Sequence, residues 1–279
     1  MCMILGHTFS WWDNAYPEFN MCVGPFFLVF FFIASGMCFK VKDTKEYIVK
    51  RFKRLLIPYL IYCVAYALFL TIVRKRFAEM GIAQVIKTIF VSSIVALPAE
   101  FSDINFFHID TYGVGPVWFL NCIFLSNVLY LILKNNKYRL IIWVGVAFAA
   151  SVSQKYVVLP FNIQNALIGC MFMSIGDVGK AYYERYTKCL LKHKLIVNVL
   201  YVIPLALIYW LVITKLPYQW MNLGGNIYRI ESLLSTLLGT MLMTLCAVIV
   251  EQTKIIDDFV ELYGIYDYIG SSWNRYFDG

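Results

Sequence analysis

Three polar side chains in otherwise apolar sequence have types and spacings that suit chemistry: His7, Arg51 and Arg54. His7 lies in an apolar stretch that ends at the pair Trp11-Trp12. An imidazole in such a stretch is costly unless a partner or a water-filled cavity stabilises it. Histidine also has the pKa best suited to removing a proton from a hydroxyl group near neutral pH. A histidine at a helix end, hydrogen-bonded to a neighbouring helix, is an equally good interpretation of this residue alone.

Arg51 and Arg54 are three residues apart, so in a regular α-helix their side chains face the same way. Two guanidinium groups side by side suit a phosphate-rich ligand, because each presents a planar fork of donors. Basic residues at an inner membrane boundary more often anchor a helix and contact anionic lipid. On these residues alone, the anchoring role is favoured.

Other polar residues at or within apolar segments have less specific patterns. The pair Ser35-Gly36 ends an apolar segment, where glycine permits close helix approach and serine can hydrogen-bond across the interface. Trp118 is either an anchor at the membrane–water boundary or the rim of a site. Three further polar residues could line a cavity, and nothing in the sequence selects among them: Asn121, Asn127 and Glu231.

The metal-binding residue types show no ligand spacing. The three histidines are far apart along the chain, and the eight cysteines contain no Cys-x-x-Cys pair. Most of the cysteines sit in apolar runs, where the thiol behaves as a small apolar group. We therefore expect free thiols and no metal site.

The composition identifies the elements that must position these residues. The chain is 61% hydrophobic and 18% aromatic, with a mean hydropathy of +0.68, which is too apolar for a soluble globular protein. The net charge of +7 comes from basic residues at the ends of apolar segments, not along one polar face, so we expect no nucleic-acid partner. The prediction is an all-α integral membrane protein, a polytopic helical bundle in contact with membrane lipids.

The basic residues predict the topology of that bundle. Residues 40–54 hold seven Lys or Arg between two uncharged segments, 25–39 and 55–73, which is typical of a short cytoplasmic loop. Residues 77–116 are predicted to hold an external or re-entrant amphipathic helix at 83–97, followed by a polar loop. Eight spans are predicted, at 1–12 (partial), 25–39, 55–73, 117–133, 140–152, 165–178, 195–214 and 232–250. In this arrangement the inner loops hold 16 Lys and Arg against 7 outside.

Several short motifs, in the same order along the chain, resemble the acyltransferase-3 family of membrane proteins. They are Gly6-His7-Thr8, Phe30-Phe31-Phe32-Ile33-Ala34-Ser35-Gly36, Arg51-Phe52-Lys53-Arg54 with Ile57-Pro58-Tyr59, and Val117-Trp118-Phe119-Leu120. The last is similar to a Trp-Phe-Leu motif of the fucose-acetylase-like and polysaccharide-modifying branch. Each motif alone is weak, and their common order makes the resemblance specific.

The resemblance implies an O-acetyltransferase of the inner (plasma) membrane that uses cytoplasmic acetyl-CoA. The acceptor would be a hydroxyl of an envelope or exported saccharide, or of a lipid-linked glycan. By this likeness His7 is the general base, Arg51 and Arg54 belong to the acetyl-CoA site, and Trp118 lies at the outer rim of the acceptor site. Besides these, we assign Ser35 to the acetyl-CoA site and Asn121 to the acceptor site from their positions beside the matched motifs, although helix packing is the more common role of a Ser-Gly pair. A protein that translocates glycan or lipid without acyl transfer is the alternative function.

The resemblance also carries an expectation about length. The family core has ten helices, and a basic residue precedes the histidine of its first helix. Against that pattern, we expect residues 1–279 to form a single acyltransferase domain whose first helix is partial and whose last two helices are missing.

Overall fold

The structure, a computed structural model, describes residues 17–72, 81–96, 105–106, 109–110, 114, 117–154, 156–157, 159–192, 194–215 and 230–253. These residues are almost entirely helical, and two two-residue strands pair antiparallel. The helices are α1 Pro17–Met37, α2 Thr44–Arg51, α3 Ile57–Ile72, α4 Ile82–Val95, α5 Trp118–Tyr130, α6 Arg139–Ser153, α7 Ile163–Lys192, α8 Leu195–Lys215 and α9 Ile230–Thr253. A π turn, Phe52–Leu56, joins α2 to α3; 3₁₀ turns lie at Leu131–Leu133 and Pro160–Asn162; the strands are β1 Asn105–Phe106 and β2 Ile109–Asp110.

Most of the helices contain segments with the composition of membrane spans. Among the described residues, three helices are long and apolar enough to cross a bilayer, at Thr44–Phe69, Leu195–Lys215 and Leu233–Val250, and four shorter apolar helices accompany them. Many large apolar side chains lie exposed on the outer faces of the bundle, for example Ile61, Ile141 and Leu207. A water-soluble protein would bury such faces, whereas lipid solvates them. The predicted class, an all-α membrane protein, is confirmed; the number of eight spans stays a prediction.

Several predicted boundaries were wrong because hydropathy marks the part of a helix in the bilayer, not where the helix ends. The basic segment 40–54 is not a loop: α2 begins at Thr44, where the side chain of Asp43 accepts hydrogen bonds from the N–H groups of Lys45 and Glu46. Similarly, α7 continues to Lys192, through most of the basic segment between the predicted spans 165–178 and 195–214. The segment between the predicted spans 1–12 and 25–39 also contains helix, because α1 begins at Pro17.

α1 and α7 cross at very close range through two glycines. An added Cβ on Gly36 would lie 1.9 Å from the backbone oxygen of Met173, and one on Gly176 would lie 2.0 Å from that of Ile33. Only a residue without a side chain fits at either position. The predicted role of Gly36 in close helix approach is confirmed.

The contacts also give the relative directions of the helices. At one end of the bundle, the C-terminal end of α1 meets α5 through Ser35 and Asn127. At that same end, Tyr130 of α5 meets Asp177 of α7. At the other end, the start of α5 meets the turn that precedes α7, through Asn121 and Phe161. These directions agree with the predicted alternation of spans. Following that prediction, which places the first end on the cytoplasmic side, we call the first end the inner end and the second end the outer end.

The remaining helices flank this core. The side chain of Tyr59, near the start of α3, donates a hydrogen bond of 2.7 Å to the backbone oxygen of Ser93, near the end of α4. Ala67, further along α3, packs against Val85, near the start of α4, so the two helices are antiparallel. A helix was predicted at 83–97, and α4 confirms it, although its external or re-entrant placement stays a prediction. α8 and α9 are joined at the inner end, where Asn198 donates to Gln252 and to the backbone oxygen of Leu190.

Candidate active site

The inner end of the bundle holds a polar cluster centred on Asn127, a fully buried residue of α5. Its side-chain oxygen accepts hydrogen bonds from Ser35 Oγ of α1, at 3.2 Å, and from the hydroxyl of Tyr47 in α2. Its Nδ2 donates to the backbone oxygen of Ile123 at 2.7 Å. One buried amide therefore ties α1 and α2 to α5, and Ser35 lies on this cluster.

Arg51 is attached to the same cluster through Tyr47. The guanidinium carbon lies 5.2 Å from the centre of the Tyr47 ring, within the range of a cation–π contact. The tyrosine thus has its ring under the arginine and its hydroxyl on Asn127. Arg51 is half-buried, so part of its side chain remains accessible.

The geometry of the Arg-x-x-Arg pair differs from the sequence prediction. The prediction that both arginines face the same way assumed a regular α turn, but Arg54 lies inside the π turn Phe52–Leu56. A π turn has the wider i→i+5 hydrogen-bond spacing and so more residues per turn. Side chains three positions apart therefore diverge more in direction than they do in an α-helix. Arg54 is exposed at this wider turn, whereas Arg51 lies over Tyr47. The π turn therefore removes the regular α spacing on which the prediction of a shared face rested.

A charged cluster flanks the amide cluster at the inner end. Asp177 Oδ2 accepts hydrogen bonds from the Tyr130 hydroxyl at 2.8 Å and from Arg139 Nε at 2.9 Å. The ring of Phe39 lies between the two clusters, with its centre 4.9 Å from that of Tyr130 and 5.6 Å from that of Tyr47. The inner end is therefore one continuous set of polar groups and aromatic rings.

The outer end holds a second polar cluster, which consists of five amide side chains and which we call the outer amide cluster: Asn121, Gln154, Asn162, Gln164 and Asn165. Gln154 Nε2 donates to Asn165 Oδ1 at 2.8 Å, and Asn165 Nδ2 in turn donates to Asn162 Oδ1. Gln164 Nε2 donates to Ser153 Oγ and to the backbone oxygen of Val157, each at 2.9 Å. These bonds join the end of α6 to the start of α7.

Asn121 and Trp118, the predicted acceptor residues, both lie at this outer end of α5. Asn121 is buried and its Nδ2 donates to the backbone oxygen of Phe161 at 2.9 Å. Trp118 is only 6% exposed and packs edge-to-face on Phe119. That burial disfavours the alternative in which Trp118 is a lipid-facing anchor.

The predicted catalytic residue, His7, lies outside the described residues, as do His108 and His193. Among the described residues, no group of three or more His, Cys, Asp and Glu side chains is placed to hold a metal ion. The site residues that the structure places therefore divide into two sets. Ser35 and Arg51 join the inner clusters, and Trp118 and Asn121 lie at the outer end.

A model of the acyltransferase-3 family, described as an acyltransferase domain, matches residues 1–272. The chain belongs to the acyltransferase-3 family. It is therefore a membrane acyltransferase, and this membership favours acyl transfer over the alternative of glycan or lipid translocation. Comparisons with curated proteins and with solved structures found no match.

Sequence reasoning missed several residues of this acyltransferase that the structure places in the clusters. Asp177 could have been selected from the sequence as a candidate site residue, because it is the only acidic residue between 111 and 183 and lies at the end of an apolar run. Tyr47 could not have been selected, since a tyrosine among lysines is unremarkable. Apart from Asn121, which was predicted, the amides of the outer amide cluster resemble ordinary turn residues, and only the fold brings them together.

Proposed function

We propose that this acyltransferase moves an acetyl group from cytoplasmic acetyl-CoA to a hydroxyl of an envelope or exported saccharide in the plasma membrane. The observation that carries the proposal is the placement of two polar clusters at opposite ends of the same helices, the inner one bordered by exposed basic residues. An enzyme that takes its donor from one side and its acceptor from the other needs such an arrangement.

The inner end suits the donor. Lys50, Lys53 and Arg54 are exposed beside the half-buried Arg51, so the junction between α2 and the π turn is densely positive. Coenzyme A carries several phosphate groups, which arginine forks and lysine charges bind through charge-assisted hydrogen bonds. Tyr47 connects Arg51 to Asn127, which also binds Ser35. Acetyl-CoA bound at Arg51 would therefore lie next to the buried side chain of Asn127.

The reaction itself needs a base, and we assign that role to His7 from its motif. The acceptor hydroxyl oxygen attacks the thioester carbonyl carbon of acetyl-CoA while His7 takes the hydroxyl proton. The carbon–sulfur bond then breaks, the acetyl ester remains on the saccharide, and the thiolate of coenzyme A leaves and takes up a proton. General base assistance of this kind contributes about 10²–10⁴-fold in rate.

The test is an assay of thiol release from acetyl-CoA, with membranes that contain the protein and membranes that lack it. We expect acetyl-CoA-dependent thiol release together with transfer of labelled acetyl to membrane or surface saccharide. His7→Ala should lower the rate by about 10²–10⁴-fold, whereas His193→Ala, the matched histidine control, should not. Release no greater than in membranes without the protein overturns the proposal.

The donor site has a separate test. Arg51→Lys and Arg54→Lys keep the charge but remove the planar fork, so each should raise the KM for acetyl-CoA more than the KM for the acceptor. Arg185→Lys, the same change at an exposed position of α7, is the matched control. Equal effects on both substrates would support lipid anchoring as the role of the pair.

A further inference from the structure

The outer amide cluster contains more buried polar side chains than are needed to pack a turn between two helices. Asn121, Gln164 and Asn165 are each at most 5% exposed, and Asn162 is 6% exposed. Most buried side chains in a membrane bundle are apolar, because each buried polar group must be given a partner. Here five amides from three parts of the chain converge at one end, beside the start of α5.

The backbone within the cluster is strained. Phe161 has φ 58° and ψ 12°, and Asn162 has φ 58°, so two successive residues other than glycine lie in the left-handed region. A bulky residue such as phenylalanine rarely adopts this conformation. Amides of the cluster hold both positions, since Asn121 Nδ2 binds the backbone oxygen of Phe161 and Asn165 Nδ2 binds the side-chain oxygen of Asn162. Strain that the surroundings hold in place in this way is concentrated at ligand-binding and catalytic sites.

One donor of the cluster has no acceptor in the part of the chain that the structure describes. The Nδ2 group of Asn162 is buried and makes no hydrogen bond among the described residues. Its side-chain oxygen is already used by Asn165, so the amide is oriented and only its N–H₂ side is free. Leaving a buried donor unpaired is unfavourable, and a ligand that brings an acceptor oxygen removes that penalty.

We propose that the outer amide cluster binds a hydroxyl group of a neutral saccharide acceptor, with Asn162 Nδ2 donating to the hydroxyl oxygen. This inference rests on the proposed function and names the residues of its acceptor end. The side chains that define the cluster are all uncharged amides, which suit hydroxyl groups better than phosphates or carboxylates. The ring of Phe161 is 44% exposed next to Asn162 and offers an apolar surface to the C–H face of a sugar ring.

The experiment compares steady-state kinetics of variants in membranes, with acetyl-CoA as donor. The acceptor probes are the methyl glycosides of glucose, galactose, mannose and fucose. Asn162→Asp keeps the acceptor oxygen for Asn165 and tolerates the left-handed backbone, but it loses the donor. We expect the KM for the best glycoside to rise at least tenfold, while the KM for acetyl-CoA changes less than twofold.

Asn198→Asp is the matched control. Asn198 is a fully buried asparagine whose side-chain oxygen also has no partner among the described residues, but it lies at the inner end, against Leu190 and Gln252. Both asparagines carry an orphaned buried atom, and only one lies at the proposed acceptor site. We expect Asn198→Asp to leave the KM for the glycoside within twofold of wild type.

A second variant keeps the test decisive if Asn162→Asp does not fold. Phe161→Gly relieves the backbone strain at φ 58° and so should fold, but it removes the aromatic surface and should also raise the glycoside KM. The inference is overturned if both folded variants keep the wild-type glycoside KM, or if the wild type releases thiol from acetyl-CoA but acetylates none of the four glycosides. Absence of thiol release altogether overturns the proposed function instead.

Discussion

Replacing Gly36 by alanine tests whether α1 and α7 are in backbone contact. The added Cβ would lie 1.9 Å from the Met173 oxygen, against at least 3.4 Å for an ordinary contact. The two helices would have to separate by about 1.5 Å, because the obstructing atom belongs to the backbone and cannot rotate away. Overpacking typically lowers the free energy of unfolding by about 1–3 kcal/mol. Because the added methyl group would sit between the backbones of two helices, we expect a loss of about 3 kcal/mol. At that size the melting temperature falls by roughly 6–12 °C.

Gly36→Ala should be measured in detergent by fluorescence-detected thermal unfolding beside two control glycines. An added Cβ on Gly145 or Gly179 would meet no atom within 4 Å. Alanine is a better helix former than glycine by about 0.5–1 kcal/mol, so Gly145→Ala and Gly179→Ala should melt at or above the wild-type temperature. If Gly36→Ala melts together with these controls, the close crossing of α1 and α7 does not exist.

The reciprocal glycine makes the test stricter. Gly176→Ala should destabilise by a similar amount, because its Cβ would lie 2.0 Å from the Ile33 oxygen. Once the helices have separated for one alanine, the second needs little further movement. The loss of stability in the double variant should therefore be clearly smaller than the sum of the losses in the two single variants. Full additivity would mean that the two glycines do not report on one shared crossing.

Three further predictions concern the inner end and the topology. Tyr47→Phe keeps the ring under Arg51 but loses the bond to the buried amide oxygen, so stability should fall by about 1 kcal/mol and the KM for acetyl-CoA should rise severalfold. Asp177→Asn leaves Arg139 without its counter-charge and should cost about 1–3 kcal/mol in thermal unfolding. In a cysteine-free background, a cysteine at Lys45 should be protected from an impermeant maleimide in intact cells, and one at Gly225 should react.

The sequence predicted best those features that hydropathy controls. The predicted span 195–214 and α8, Leu195–Lys215, differ by one residue, and the predicted start at 117 lies one residue before α5. Prediction failed where a helix leaves the bilayer and continues in water, as α7 does to Lys192, because charged residues such as Lys and Glu are good helix formers. It also could not find the π turn, which no periodicity marks.

The candidate site was only partly predictable, for a different physical reason. Ser35 and Arg51 were selected one by one, and the structure joins them through Tyr47 and Asn127, which are 80 residues apart in sequence. Such long-range pairs leave no trace in the local pattern. The strained backbone at Phe161 is likewise a product of the packing around it, since nothing about a phenylalanine after a proline predicts a positive φ.

The two polar clusters lie closer together than the bilayer thickness suggests. Asn121, in the outer amide cluster, and Asn127, in the inner cluster, are both on α5 and six residues apart, which is about 9 Å at 1.5 Å per residue. The hydrocarbon core of a bilayer is about 30 Å thick. Polar groups therefore enter the bundle from both ends and leave only a short apolar separation. Under the proposed function, the thioester of a donor bound near Asn127 and the hydroxyl of an acceptor bound near Asn121 would have to approach each other over only a small fraction of the bilayer thickness. Direct attack of the hydroxyl on the thioester would therefore not require either substrate to cross the membrane.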